Sequence, residues 1–175
     1  MEEPEGLIEW AELHVPRQMR DDPIWTSAAY RYALCLGDLV QGDVPLIERN
    51  RIARRHVDQL LDAVQSISAN IAEGYSRSTG RDRAKYFEYA HSSARESREW
   101  LFKIRHALDP ATALHRITLV TRIMTILVAT IPRERETPDS PAHRPKPEYR
   151  PPDRRNRLRQ SAPAESPPSD RDGSD

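Results

Sequence analysis

The sequence predicts an all-α protein: an antiparallel, up-down-up-down four-helix bundle with a disordered C-terminal tail. Three observations carry that expectation. In four successive segments apolar residues recur at alternating steps of three and four, the spacing that gathers them on one face of a helix. The connections between these segments are short, which forces neighbouring helices to run antiparallel. Ten of the fifteen prolines fall at or after Pro132, beyond the last segment. The 175 residues therefore divide into an acidic N-terminal arm (1–23), a four-helix bundle (24–131) and a Pro/Arg-rich tail (132–175).

Trp25, Ala29, Tyr32, Leu36 and Leu39 form the first stripe. Asp22-Pro23 introduces it as an N-cap followed by proline at the first helical position, and Gly42 marks its end. The second helix runs from about Pro45 through Ala53, Val57, Leu60, Val64, Ile67 and Ile71. It stops where Gly74 can take the left-handed conformation of a C-cap. Thr79-Gly80-Arg81-Asp82 has capping-box form and opens the third helix, with Phe87, Ala90, Ala94, Ser97, Leu101, Ile104 and Leu108 on its stripe. Asp109-Pro110 repeats the cap-plus-proline start for the fourth helix, which carries Leu114, Ile117, Val120, Met124, Leu127 and Ile131 and is stopped by Pro132. Leu61, Tyr75, Tyr86, Tyr89 and Trp100 lie off these stripes and suit either a widened core face or a subunit contact.

The tail has almost no apolar residues to offset the entropy of ordering it, so it is expected to stay disordered. Its PEYRPPDRR stretch reads as a solvated extension before it reads as a polyproline ligand. Mean hydropathy is -0.78 and 37% of residues are apolar. No unbroken apolar run approaches the roughly 18 residues that span a bilayer, and MEEPEG lacks the basic and apolar regions of a signal peptide. A cytoplasmic protein without membrane association is the expectation. The single Cys35 excludes an internal disulfide and a cysteine-based zinc site.

The formal net charge of zero hides unlike parts. Residues 1–23 hold Arg17 and Arg20 against seven acids, whereas 24–131 hold 15 basic residues against 11 acidic ones. Arg49, Arg51, Arg54 and Arg55 fall in the first turns of the expected second helix, and Arg81, Arg83 and Lys85 in those of the third. A helix N-terminus disfavours cations, and positions that break such a rule are candidates for function. Arginines at a helix N-terminus suit a phosphate group, so these residues and Arg77 are the candidate nucleic-acid contacts. The two clusters should lie at opposite ends of the bundle, about 35–40 Å apart. The end of the fourth helix, with Arg133 and Arg135, should meet the cluster of Arg77, Arg81 and Arg83. Arginine outnumbers lysine 24 to 3, so a solvated charged face is the competing reading.

No catalytic constellation emerges. Glu88-Tyr89-Ala90-His91 has the Glu-x-x-His form of di-iron bundles but lacks a second copy and two further inward glutamates, so it reads as a solvated face. His14, His56, His106, His115 and His143 have no metal or triad spacing, and no serine sits in a nucleophile elbow. Neither an enzyme nor a cofactor nor a metal is expected. Asn70 and Glu73 are expected to form a satisfied polar cluster at the end of the second helix.

Residues 66 to 97, SISANIAEGYSRSTGRDRAKYFEYAHSSARES, resemble a small bacterial four-helix-bundle family. It includes the proteins encoded in intervening sequences of large-subunit ribosomal RNA genes and the accessory variability determinant of diversity-generating retroelements. The resemblance rests on Ser66, Ile67, Asn70 to Gly74, Arg77, Phe87, Ala90, Ser93 and Glu96. It implies a homo-oligomer, a pentameric barrel, with RNA or DNA and a reverse transcriptase as partners. The expected function is a non-enzymatic oligomeric bundle that binds RNA or DNA backbone as an accessory to a nucleoprotein complex. The alternative is a protein-interaction scaffold without nucleic acid.

Overall fold

The structure, a computed structural model, describes residues 6–137, and no strand occurs among them. Two short helices, α1 (Leu7–His14) and α2 (Arg17–Arg20), precede a 3-10 turn at Pro23–Thr26. Four long helices follow: α3 (Ala28–Arg49), α4 (Val57–Tyr75), α5 (Gly80–Ile104) and α6 (Pro110–Glu136). Further 3-10 turns at Ala53–His56 and Arg105–Ala107 join α3 to α4 and α5 to α6. The expected tail beyond residue 137 lies outside the described residues.

Two of the expected caps open helices as written. Thr79 Oγ1 accepts the Asp82 N–H at 3.0 Å ahead of α5, and Asp109 Oδ1 accepts the N–H groups of Ala111 and Thr112 ahead of α6. Asp22 accepts from Ile24 N–H but caps only the 3-10 turn, while Ser27 caps α3.

Two helix ends differ from expectation for one reason. α3 continues through Gly42 and Pro45 to Arg49, and α6 continues through Pro132 to Glu136. An interior proline removes the hydrogen bond to the carbonyl four residues back. Here those carbonyls belong to Gln41 and Val128, both on the exposed side, where solvent replaces the bond. Meanwhile Asp43 and Ile47 stay buried beyond Gly42, and packing overrides local propensity. Asn50 ends α3 instead, its Oδ1 accepting from the N–H groups of Ile52 and Ala53.

α3 packs on α4 and α6, and α5 packs on α4 and α6, around one core. Tyr32, Leu36 and Ile47 enter it from α3, Leu60, Ile67 and Ile71 from α4, Ala90, Leu101 and Ile104 from α5, and Val120, Ile123 and Leu127 from α6. The stripes were legible except at Leu114, which is 65% exposed while Ala113 takes the inward position. Asp43 and Arg116 lock the end of α3 to the start of α6 through two bonds of 2.9 and 3.2 Å, both side chains largely buried. Part of the expected acidic arm is structure: Leu7 and Ala11 of α1 are buried, and Trp10 Nε1 donates to Asp38 Oδ2 at 2.8 Å. By length and composition α6 alone of the described helices could cross a membrane, Arg116 and Arg122 interrupting the run that a simple count seeks. Its most apolar face is buried against the other long helices.

Gly74 is not a left-handed cap. Among the described glycines only Gly6 has positive φ, and α4 passes through Gly74 to Tyr75. The glycine is there for space: a Cβ would stand 2.7 Å from Phe87 Cε1. At Gly80 a Cβ would stand 2.2 Å from the Glu134 carbonyl oxygen and 2.8 Å from that of Thr137. A ring can shift, whereas two backbone carbonyls cannot without moving a helix. Gly80→Ala should therefore destabilise by about 2–3 kcal/mol and Gly74→Ala by about 1 kcal/mol, the latter reduced by the helix propensity that alanine adds. Equilibrium urea unfolding of both variants checks the order, and an unchanged midpoint for Gly80→Ala would refute the close crossing.

Candidate nucleic-acid interface

The basic residues around the start of α5 are brought to the end of α6, but acids come with them. Arg83, 22% exposed, bonds from Nε to Glu134 Oε2 at 2.7 Å and from Nη1 to the Arg77 carbonyl. Arg77 pairs with Glu73, donates to the Tyr86 hydroxyl and lies 4.5 Å from the centre of that ring. Arg135 pairs with Glu88. The dipole-rule break at Arg83 thus has a packing reason, since Glu134 neutralises it. Arg81 and Arg133 are exposed and make no ion pair with any described residue, and Lys85 Nζ stands 6.0 Å over the Tyr89 ring.

The second cluster does not occupy the first turns of a helix. Arg49 ends α3, Arg51 lies in the connection, and Arg54 and Arg55 lie in the 3-10 turn. At the C-terminus of α3 the helix dipole favours Arg49, whereas Arg54 and Arg55, just ahead of the His56 N-cap of α4, still stand at a positive helix end. All four are exposed, and none forms an ion pair with a described residue. Their turn packs on α5, whose last turn adds Lys103, with Arg105 following in the next 3-10 turn, cations absent from the sequence-based expectation. Lys103 Nζ lies 4.2 Å over the Trp100 ring, His56 stacks on the same tryptophan at 5.1 Å, and the Arg105 guanidinium lies 3.9 Å from the Phe102 centroid. A three-residue spacing from Trp100 to Lys103 and from Phe102 to Arg105 was the available signal; the approach of the turn to α5 was not in the sequence.

The motif residues serve packing. Asn70 Nδ2 donates to the Ser66 carbonyl at 2.8 Å, Glu73 holds Arg77, and Gly74 admits Phe87. The Ser93 carbonyl accepts from the buried Ser97 hydroxyl at 2.8 Å, and Glu96 Oε1 accepts from Trp100 Nε1 at 3.4 Å.

Cys35 is buried, and burial, with Asp38 nearby, pushes its thiol up to about 11, so it stays protonated and unreactive near neutral pH. Glu88 is committed to Arg135, and among the described residues no three of His, Cys, Asp and Glu converge as metal ligands. Burial, then Arg95 and Arg98, lowers the pKa of His91; burial, then Arg116, lowers that of His115 against the pull of Asp43. Both histidines favour the neutral form when folded, and His115 Nδ1 faces Arg116 Nη1 at 2.7 Å, where it accepts. The unfolded chain binds protons at these sites near the ordinary 6.5, before the folded chain does. Their contribution is intact above that value and is lost as the pH falls through it and then through the lowered folded pKa. His91→Gln/His115→Gln should flatten the decline of melting temperature between about pH 7.5 and pH 5. An equally steep decline in the double variant would show that these sites do not shape it.

The described residues define a helical protein whose exposed chemistry is arginine at helix ends beside aromatic rings, without a nucleophile–base pair. Residues 49–128 match the family model described as 23S rRNA-intervening sequence protein. This segment, from the last residue of α3 to Val128 in α6, agrees with the resemblance of residues 66–97 to the ribosomal RNA intervening-sequence proteins, and it contains every candidate contact from Arg49 to Lys85. No curated protein and no solved structure gives a significant match.

Proposed function

We propose that this protein is a non-enzymatic, self-associating helical bundle, α3 to α6 running up-down-up-down, that holds RNA by its backbone in the cytoplasm. The observation that carries the reading is the set Arg49, Arg51, Arg54 and Arg55: four exposed arginines within seven residues, none ion-paired among the described residues, in and beside a 3-10 turn that packs on α5. The ribosomal-RNA description of the matching family supports RNA as the polyanion. Exposed guanidinium groups contact phosphate before base edges, so sequence preference is weak. Arg81 and Lys85 extend the contact at the other end, while Arg77 and Arg83 hold that end together. The family resemblance adds five copies as the assembly, and its retroelement branch adds a reverse transcriptase as protein partner.

Full-length protein should bind a labelled RNA hairpin with an affinity that falls steeply from about 50 to 200 mM salt. Arg49→Glu/Arg51→Glu/Arg54→Glu/Arg55→Glu should weaken binding by more than tenfold at about 100 mM salt and flatten the salt dependence. Absence of binding even at the lowest salt would overturn the reading. It would leave a protein-interaction scaffold, which the exposed Phe102 and Leu114 at the α5–α6 turn favour.

Exposed apolar side chains at Leu46, Ile52 and Tyr89 support self-association. Light scattering at micromolar concentration should give about 100 kDa, five times the 20.1 kDa chain. A mass of one chain would remove the oligomer.

A further inference from the structure

A groove of about 370 Å³ runs between α5 and α6, and its lining shares no residue with the arginines at 49–55 or with Arg77, Arg81, Arg83 and Lys85. His91, Arg95 and Arg98 line it from α5, and Thr121, Thr125 and Val128 from α6. The three α5 residues are four and three apart, hence on one helical face. Along that face Phe102 and Arg105 follow, lining the neighbouring apolar groove with Leu114 and Ile117. From His91 to Arg105 the stripe is about 21 Å long at 1.5 Å per residue.

The stripe has no internal answer to its charge. No carboxylate lines either groove, and Arg95 and Arg98 form no ion pair with a described residue. Glu99, one turn beyond Arg95, is exposed and outside the lining, and Glu88 is held by Arg135. At His91 burial first, and then Arg95 and Arg98, oppose protonation. The threonine hydroxyls donate to backbone carbonyls, Thr121 to Ile117 at 2.7 Å and Thr125 to Thr121 at 3.1 Å. Arg105 Nη1 donates to the Phe102 carbonyl at 2.6 Å, and the remaining donors are the other guanidinium N–H groups and the imidazole, a set that suits anionic oxygens.

The shape selects among polyanions. Packed helices lie about 8–10 Å apart, so the furrow between them takes one strand and not a duplex. Phe102 is 53% exposed at the lower end of the stripe, with the Arg105 guanidinium against its ring. A ring beside cations is the arrangement on which an unpaired base stacks while its phosphates are neutralised; a duplex keeps its bases stacked on one another. We propose that the α5–α6 groove is a track for single-stranded polynucleotide, its phosphates on Arg95, Arg98 and Arg105 and one base against Phe102. The proposal rests on the reading that the protein holds RNA, and it adds a second site with a different preference.

The test measures anisotropy of labelled dodecauridylate and of the RNA hairpin with full-length protein. Arg95→Glu/Arg98→Glu should weaken dodecauridylate binding at least tenfold and lower its salt slope by about 1.4, two contacts at about 0.7 each. Phe102→Ala should weaken it at least fivefold, near the lower bound for one stacked base. Arg54→Glu/Arg55→Glu should change dodecauridylate affinity less than threefold while weakening the hairpin. Arg95→Lys/Arg98→Lys should retain most of the binding, which separates lost charge from lost fold. Unchanged dodecauridylate binding by Arg95→Glu/Arg98→Glu, with hairpin binding intact, overturns the track and leaves the RNA reading standing. Failure of the unmodified protein to bind either RNA overturns both. Polyglutamate of matched charge displacing dodecauridylate equally well also overturns it, since the groove would then accept any flexible polyanion.

Discussion

At Gly80 any side chain would collide with the carbonyls of Glu134 and Thr137, and that close approach sets how α5 enters beside the end of α6. Gly74, at the end of the preceding helix, likewise lets Phe87 of α5 press against the last turn of α4. Three helix ends are held at one corner by the absence of two β-carbons. Because interiors are close-packed, the register of the buried residues along α4, α5 and α6 follows from that corner. At the far end the buried Asp43–Arg116 pair ties α3 to α6, and removal of either partner would strand a charge inside the fold.

The same crossing decides which arginines are available. By carrying Glu134 to Arg83 and Arg135 to Glu88, it converts several members of a basic cluster into ties between helices. Arg77, held by Glu73 and Tyr86, joins them. Among the described residues no comparable acid reaches the turn at 49–55, nor the α5 face at Arg95 and Arg98. Charge left unpaired at a turn and along a furrow is what the proposed RNA contacts use. The family match to residues 49–128 covers both places.

Helix existence was legible because stripe spacing and capping residues are local signals, and Asp109-Pro110 and Thr79 act where they stand. Helix ends were less legible. Gly42 looks like a stop, Pro45 like a start and Pro132 like a stop, yet both prolines face outward at positions where the lost hydrogen bond belongs to solvent-side backbone, while buried neighbours hold each helix together. That difference moved Arg49 to the C-terminus of α3 and Arg51 into the connection, which changed the electrostatic argument for them. The α5–α6 groove went unread because its two walls are separated in sequence and each looks like an ordinary solvated face.

By itself the sequence determined that the chain is helical, most of the stripes that fill the core, and where α5 and α6 begin, because periodicity and caps act within a few residues; Ile47, Ile123 and the buried Leu7 and Ala11 lay outside those stripes. It also carried the family motif. Tertiary structure alone decided that α1 packs on α3, that Gly74 and Gly80 are needed for clearance and not for a turn, and which cations keep their charge unanswered. Those outcomes depend on which helix ends meet, and partners such as Arg83 and Glu134, or Asp43 and Arg116, lie far apart in the chain and become neighbours only when the core closes.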